Sequence, residues 1–185
     1  MINMNEKILG PFGWPKFENE QMPLPKITGV YIMAVEYFDG YLPFGVGITR
    51  RPMRKRFVEH SRSYLEGNYN ILDMDAAQLG RREVLWKGWG WTPVKRTEYE
   101  NRKSEVTELA KRQMSRTRIF VIDMGVAPRL LERLEAAIAN HFYKSEDILF
   151  DRGMLCMPRW KSEEPLHITF NCDSKLFGLP AAIEI

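Results

Sequence analysis

Two β-rich runs joined at Asp39-Gly40 constrain this chain more than anything else in it. The first, ITGVYIMAVEYF over 27–38, is dense in β-branched and aromatic residues, and the second, YLPFGVGIT, covers 41–49. Asp-Gly between two such runs predicts an antiparallel hairpin. Pro43, Gly45 and Gly47 predict a bent second strand whose bare backbone lets a ligand or another chain approach closely. At 185 residues the chain has the length of one ordinary domain, and 44% hydrophobic with 28% charged residues excludes a disordered or collagen-like polymer. No apolar run approaches the roughly 20 residues that cross a bilayer. The N-terminal MINMNEKILGPFGW has no long apolar stretch after a basic start, so no secretory signal is expected. Cys156 and Cys172 suit a reducing compartment, which points to the cytoplasm.

Downstream of the hairpin, Thr49 is placed to cap a helix with Pro52 in its first turn. Met53, Phe57, Tyr64 and Leu65 continue that helix as an apolar stripe to about Gly67. Residues 68–101, including WKGWGW at 86–91, read as an insertion. Lys103 to Arg116 predicts an exposed, charge-laced helix, and RIFVIDMG at 118–125 a buried strand. Pro128 opens the clearest helix, with Leu130, Leu134, Ile138 and Phe142 recurring every four residues. LHITFN at 166–171 is a last candidate strand. Residues 1–26 carry Pro11, Pro15, Pro23 and Pro25, a pattern that neither helix nor central strand tolerates well, and read as an N-terminal extension.

The net charge is only +3, too small to mark a nucleic-acid binder by itself. The first helix concentrates it: Arg50, Arg51, Arg54, Lys55, Arg56 and Arg62 stand against Glu59 and Glu66. Such a stripe suits phosphate contacts, and a solvated helix face is the plainer alternative. Arg56 and His60 are spaced i, i+4 and point the same way; one residue type holds phosphate, the other moves protons. On the last helix, a wheel at 100° per residue puts Glu135 on the border of the apolar stripe and Glu132 toward water. A carboxylate at that border is costly unless it is paired, ligates a metal, or reaches water from a packed stem. Gly29-Val30-Tyr31 and Gly45-Val46-Gly47 lie side by side in a paired hairpin, so Tyr31 is either a substrate-facing phenol or a satisfied core residue. Trp86, Trp89 and Trp91 suit stacking on bases or the small core of the insertion.

Taken together these residues resemble the GIY-YIG nuclease superfamily. GVY at 29–31 is similar to its first motif and GVGIT at 45–49 to its second. RKRFVEH at 54–60 resembles the R-x-x-x-H helix, RLEAAIANHF at 133–142 the helix with one metal-binding Glu, and ITFN at 168–171 the closing segment with its Asn. The resemblance spans residues 27–172 around one insertion. It implies an α+β fold with a small central three-stranded antiparallel sheet flanked by helices, in the order β-β-α-α-β-α. On that reading 1–26 is an extension and 173–185 a C-terminal tail. One position departs: the family's second motif opens with Tyr, and Gly45 stands there. Either Tyr41 supplies the hydroxyl from a longer hairpin, as the restriction-endonuclease branch suggests, or the chemistry runs without it, or activity is lost.

The resemblance implies a metal-dependent DNA endonuclease that hydrolyses phosphodiester bonds. That reaction needs a water nucleophile, a base, charge neutralisation and help for the leaving oxygen. Glu135 would hold one divalent ion, Mg²⁺ or Mn²⁺. Tyr31 would deprotonate or orient the water with His60 as relay, its phenolate favoured by Arg56, His60 and the metal. Tyr41 would assist, Arg56 would clamp non-bridging oxygens, and Asn171 would support the site. Arg50, Arg51, Arg54, Lys55 and Arg62 would follow the DNA backbone, and the insertion would contact bases. A catalytically inactive DNA-binding relative and a small protein-interaction module are the alternatives; monomer or homodimer is left open.

Overall fold

A computed structural model describes residues 2–89, 93–144, 149–150 and 158–185. The hairpin forms, with β2 (Gly29–Tyr37) and β3 (Gly40–Thr49) paired antiparallel from Gly29 opposite Thr49 to Tyr37 opposite Gly40. Its turn is shifted by one residue. Phe38 and Asp39 form the loop, and Phe38, not the glycine, takes the left-handed backbone at φ 47°. Gly40 is required for space: a Cβ there would stand 2.5 Å from the Lys175 carbonyl oxygen. Register slips between Met33 and Ala34, leaving Phe44 unpaired beside Pro43, and this bulge supplies the predicted bend.

The chain then forms α1 (Met53–Leu65), β4 (Ile71–Leu72), α2 (Met74–Ala77), β5 (Val84–Trp86), α3 (Pro93–Asn101), α4 (Lys103–Arg116), β6 (Arg118–Asp123) and α5 (Pro128–Lys144). Thr49 does not cap α1. Its hydroxyl bonds within the turn to the backbone of Arg51, and Pro52 takes the N-cap position. β4 and β5 pair with each other in a separate two-stranded sheet, and β7 (Leu166–Cys172) and β8 (Ala182–Glu184) follow α5.

The expected three-stranded antiparallel sheet is corrected by this topology. The fold is α+β, but the main sheet has six strands in the order β3-β2-β6-β1-β7-β8, β1 being Ile2–Gly13, and is mixed. β1 runs antiparallel to β6 and parallel to β7, so the segment read as an extension is an interior strand. Pro11 is accommodated because the ladder to β6 is interrupted between Leu9 and Phe12, where a missing N–H costs no sheet bond. The segment read as a tail is also built in: β8 closes the sheet edge, and Leu176 and Ile185 are buried.

The sheet divides two apolar layers. On one face Ile8, Val30, Ile32, Phe120 and Ile122 pack against Leu131, Leu134, Ile138 and Phe142 of α5. On the other, Tyr31, Ile119 and Val121 pack against Met53 and Phe57 of α1 and Val106, Ala110 and Met114 of α4. Strand alternation produces this division directly, since neighbouring residues of β2 and β6 face opposite layers. Among the described residues no helix is long and apolar enough to cross a membrane.

Candidate active site

Val30 and Ile32 face α5, so Tyr31 between them projects beneath α1. Its ring meets Phe57 edge-on at 5.0 Å, and its hydroxyl lies 2.8 Å from Nε2 of His60. Opposite Tyr31 on β3 stands Gly47, where a Cβ would come within 2.3 Å of the phenol oxygen. β3 is the sheet's edge strand, so the buried hydroxyl sits over the bare backbone of Gly47 with no further strand beyond it. Arg56, one turn before His60, faces the same phenol, as the i, i+4 spacing requires.

Electrostatics assign different states to these groups from those the sequence suggested. Burial, assisted by the neighbouring Arg56 charge, holds the His60 pKa down at about 4. The imidazole is therefore neutral at pH 7 and adds no positive field. Burial also raises the Tyr31 phenol above its ordinary value; Arg56 opposes that rise, while Glu135 and Tyr69 add to it. A standing phenolate in a field of cations is thus not what the site holds. It holds a neutral phenol hydrogen-bonded to a neutral imidazole. Arg56 is half-buried, and its Nε is buried with no hydrogen-bond partner among the described residues. Its nearest carboxylate, Glu59 at 3.8 Å, is taken up by Arg51 in two bonds of 2.6 Å. A buried guanidinium N–H without a partner among the described residues calls for one from outside the protein, water or an anion.

Glu135 approaches from α5, on the other side of the edge strand. Burial pushes its carboxyl above the usual range, Arg56 draws it back, and Glu132 adds to the rise. It makes no hydrogen bond or ion pair among the described residues, and with Val46, Arg129, Glu132 and Tyr143 it lines a cavity of about 370 Å³. Glu132 is exposed as expected but not idle: it accepts a 2.8 Å bond from Arg50 and lies 3.8 Å from Arg129. Among the described residues no three His, Cys, Asp or Glu side chains converge on a metal position. A half-buried carboxylate with no ion pair among the described residues still fits Mg²⁺ or Mn²⁺, since Mg²⁺ keeps several waters and needs only one or two carboxylates.

Two sequence candidates stand elsewhere. Tyr41 lies on the α5 face, 5.0 Å from the Phe120 ring, and its backbone pairs with Lys175 and Phe177. A longer hairpin does not bring it back, because its register places it opposite Glu36 and on the wrong side of the sheet from Tyr31. Asn171 is exposed on β7 opposite Lys7, three strands from β2 and hence about 14 Å away in the sheet direction. At Gly45 a Cβ would meet the Met33 methyl at 2.5 Å, so Met33 fills the space that a second-motif side chain would enter.

The basic stripe is largely paired. Arg50 bonds Glu132, Arg51 bonds Glu59 and Arg54 reaches Glu18 at 3.3 Å, whereas Lys55 and Arg62 are exposed with no ion pair among the described residues. Trp86 and Trp89 spend their indole N–H groups on the carbonyls of Gly67 and Glu66; Trp91 and Cys156 lie outside the described residues. Sequence reasoning missed Tyr69, whose ring lies 5.7 Å from that of His60. It belongs to no helical stripe or strand alternation, and only the tertiary fold brings it to the site. No protein-family model, curated protein or solved structure matches this chain.

Proposed function

We propose that the protein is a metal-dependent nuclease that hydrolyses phosphodiester bonds in DNA. The observation that carries this reading is the convergence of Arg56, with its unpartnered buried Nε, the Tyr31–His60 pair and the unpaired Glu135 at one glycine-lined sheet edge. Arg56 holds non-bridging oxygens, and its charge counts most as negative charge builds on the phosphoryl group. Water attacks phosphorus as its proton passes to the Tyr31 oxygen and the Tyr31 proton passes to His60 Nε2. The phosphorus–oxygen bond to the leaving group breaks, and that oxygen takes a proton from solvent. A divalent ion held by Glu135, when bound, supplies charge neutralisation at the phosphate. The similarity to the GIY-YIG superfamily rests on these side chains, not on the size of the sheet.

Gly45, filled by Met33, favours a second reading: a DNA-binding relative that does not cleave. One assay separates the two. With Mg²⁺ or Mn²⁺, wild type is expected to nick or linearise plasmid DNA, and Glu135→Gln to lose at least 10²-fold in rate while keeping its melting temperature. Cleavage by Glu135→Gln at the wild-type rate would remove Glu135 from the metal site. A wild-type protein that shifts DNA in a salt-dependent manner but never cleaves it would establish the binder.

A further inference from the structure

The buried pair Tyr31–His60 does not reach solvent by itself, since Tyr31 is only 3% and His60 7% exposed. A phosphate that stays partly in water is met at the rim by exposed groups. The loop between α1 and β4 carries one such group. Tyr69 is 37% exposed, packs at 5.7 Å on the His60 ring and at 5.1 Å on the Tyr64 ring, and its hydroxyl has no hydrogen-bond partner among the described residues.

The loop is held, not loose. Gly67 takes φ +70°, and the Asn68 N–H bonds the Ser63 carbonyl at the end of α1. Trp86 and Trp89 clamp the Gly67 and Glu66 carbonyls at 2.8 and 2.6 Å. Buried Gln113 bridges Tyr64 at 3.0 Å and the Leu72 N–H at 2.7 Å, tying α1 to β4 on either side of Tyr69. The insertion therefore acts as a brace for this one phenol. Tyr69 also lines a cavity of about 200 Å³ with Phe44 and with Met33, whose methyl end occupies the space beside Gly45. Tyr41 is disqualified for the same place by facing the other side of the sheet.

We propose that Tyr69 is the second phenol of the site, a catalytic residue that donates its hydroxyl hydrogen to a non-bridging oxygen of the phosphate held by Arg56. This deepens the nuclease reading and rests on it. The electrostatic coupling of Tyr69 to both Arg56 and Tyr31 agrees with the placement. No atom changes hands in this role, and the group remains a donor throughout.

The test uses the full chain and two readouts, plasmid cleavage with Mg²⁺ and binding of inorganic phosphate followed by ³¹P line broadening. Tyr69→Phe keeps the ring and its packing. It is expected to lose about 10²-fold in kcat with unchanged melting temperature, and about tenfold in phosphate affinity. Tyr41→Phe serves as control and should match wild type in both. If wild type binds phosphate but cleaves no DNA, the nuclease reading fails, and the phosphate arm alone decides Tyr69. Equal rate and equal affinity in Tyr69→Phe and wild type overturn the assignment while leaving the nuclease standing. A wild type with no phosphate binding, or a Tyr41→Phe that loses as much as Tyr69→Phe, overturns it as well.

Discussion

His60 shows how a single residue's surroundings change its chemistry. As an exposed histidine beside a run of arginines it would be half-charged near neutrality. Buried against Phe57, with Arg56 beside it, it is held neutral and accepts or donates the Tyr31 bond. That has a stability consequence with a definite sign. The folded state resists protonation of His60 until about pH 4, whereas the unfolded chain takes the proton near 6.5. As pH falls through that window the unfolded state binds more protons, so stability is lost, by about 3 kcal/mol in the limit. Glu135 works the other way, because its raised carboxyl gains a proton more readily in the folded state. Comparison with His60→Gln isolates the histidine: melting temperatures measured from pH 8 to pH 4 should fall less steeply in the variant. Parallel curves would mean that His60 titrates like a free imidazole.

At the scale of elements, the edge strand β3 decides whether the site exists. Gly45 and Gly47 look alike in the sequence but do different work. At Gly47 a Cβ would press on the Tyr31 phenol from 2.3 to 3.0 Å, on a ring already fixed by Phe57 and His60. At Gly45 it would meet the methyl end of Met33, a flexible side chain that can turn away. Gly47→Ala is therefore expected to destabilise by about 1–3 kcal/mol and to abolish cleavage, and Gly45→Ala to be nearly silent in both a denaturant melt and a rate assay. Equal effects at the two positions would contradict this account of the edge. The hairpin, the span of α4, α5 and the buried β6 were legible because each is a local pattern: a turn signal, a periodicity, an apolar run; that α4, expected as an exposed helix, buries Val106, Ala110 and Met114 in the core was not. Arg56 with His60 and the border position of Glu135 were legible for the same reason, being set by helical spacing. Tyr69 and the displacement of Tyr41 and Asn171 were not, since they depend on a bulge at Phe44, a brace from Trp86 and Trp89, and strand order across the sheet. The protonation states escaped as well, because burial sets them and spacing does not.

Strand order also decides what the whole molecule can lose. A core confined to residues 27–172 would leave the β2-β3 hairpin and β6 as a sheet open on the β6 side, with β7 detached. In the actual fold β1 lies between β6 and β7, and removing it exposes both ladders at once. Ile8, Phe12, Trp14 and Leu24 are each no more than 9% exposed, and Trp14 donates its indole N–H to Ser61 of α1 at 2.7 Å. At about 1.5–3 kcal/mol for each large buried side chain, these four contribute roughly 6–12 kcal/mol, as much as the entire stability of a typical domain at about 5–15 kcal/mol. Trp14 also touches Phe57 and Tyr64 at 4.8 and 5.7 Å, so the N-terminal segment supports the helix that carries Arg56 and His60. Deleting residues 1–26 is accordingly expected to give a chain without a cooperative thermal transition and without dispersed amide resonances. Trp14→Ala, a gentler change, should cost about 3–5 kcal/mol and reduce cleavage only through loss of folded protein, with activity per folded molecule preserved. A truncated chain that melts cooperatively near the wild-type temperature would show that β1 is an accessory strand after all, and that the sheet closes without it.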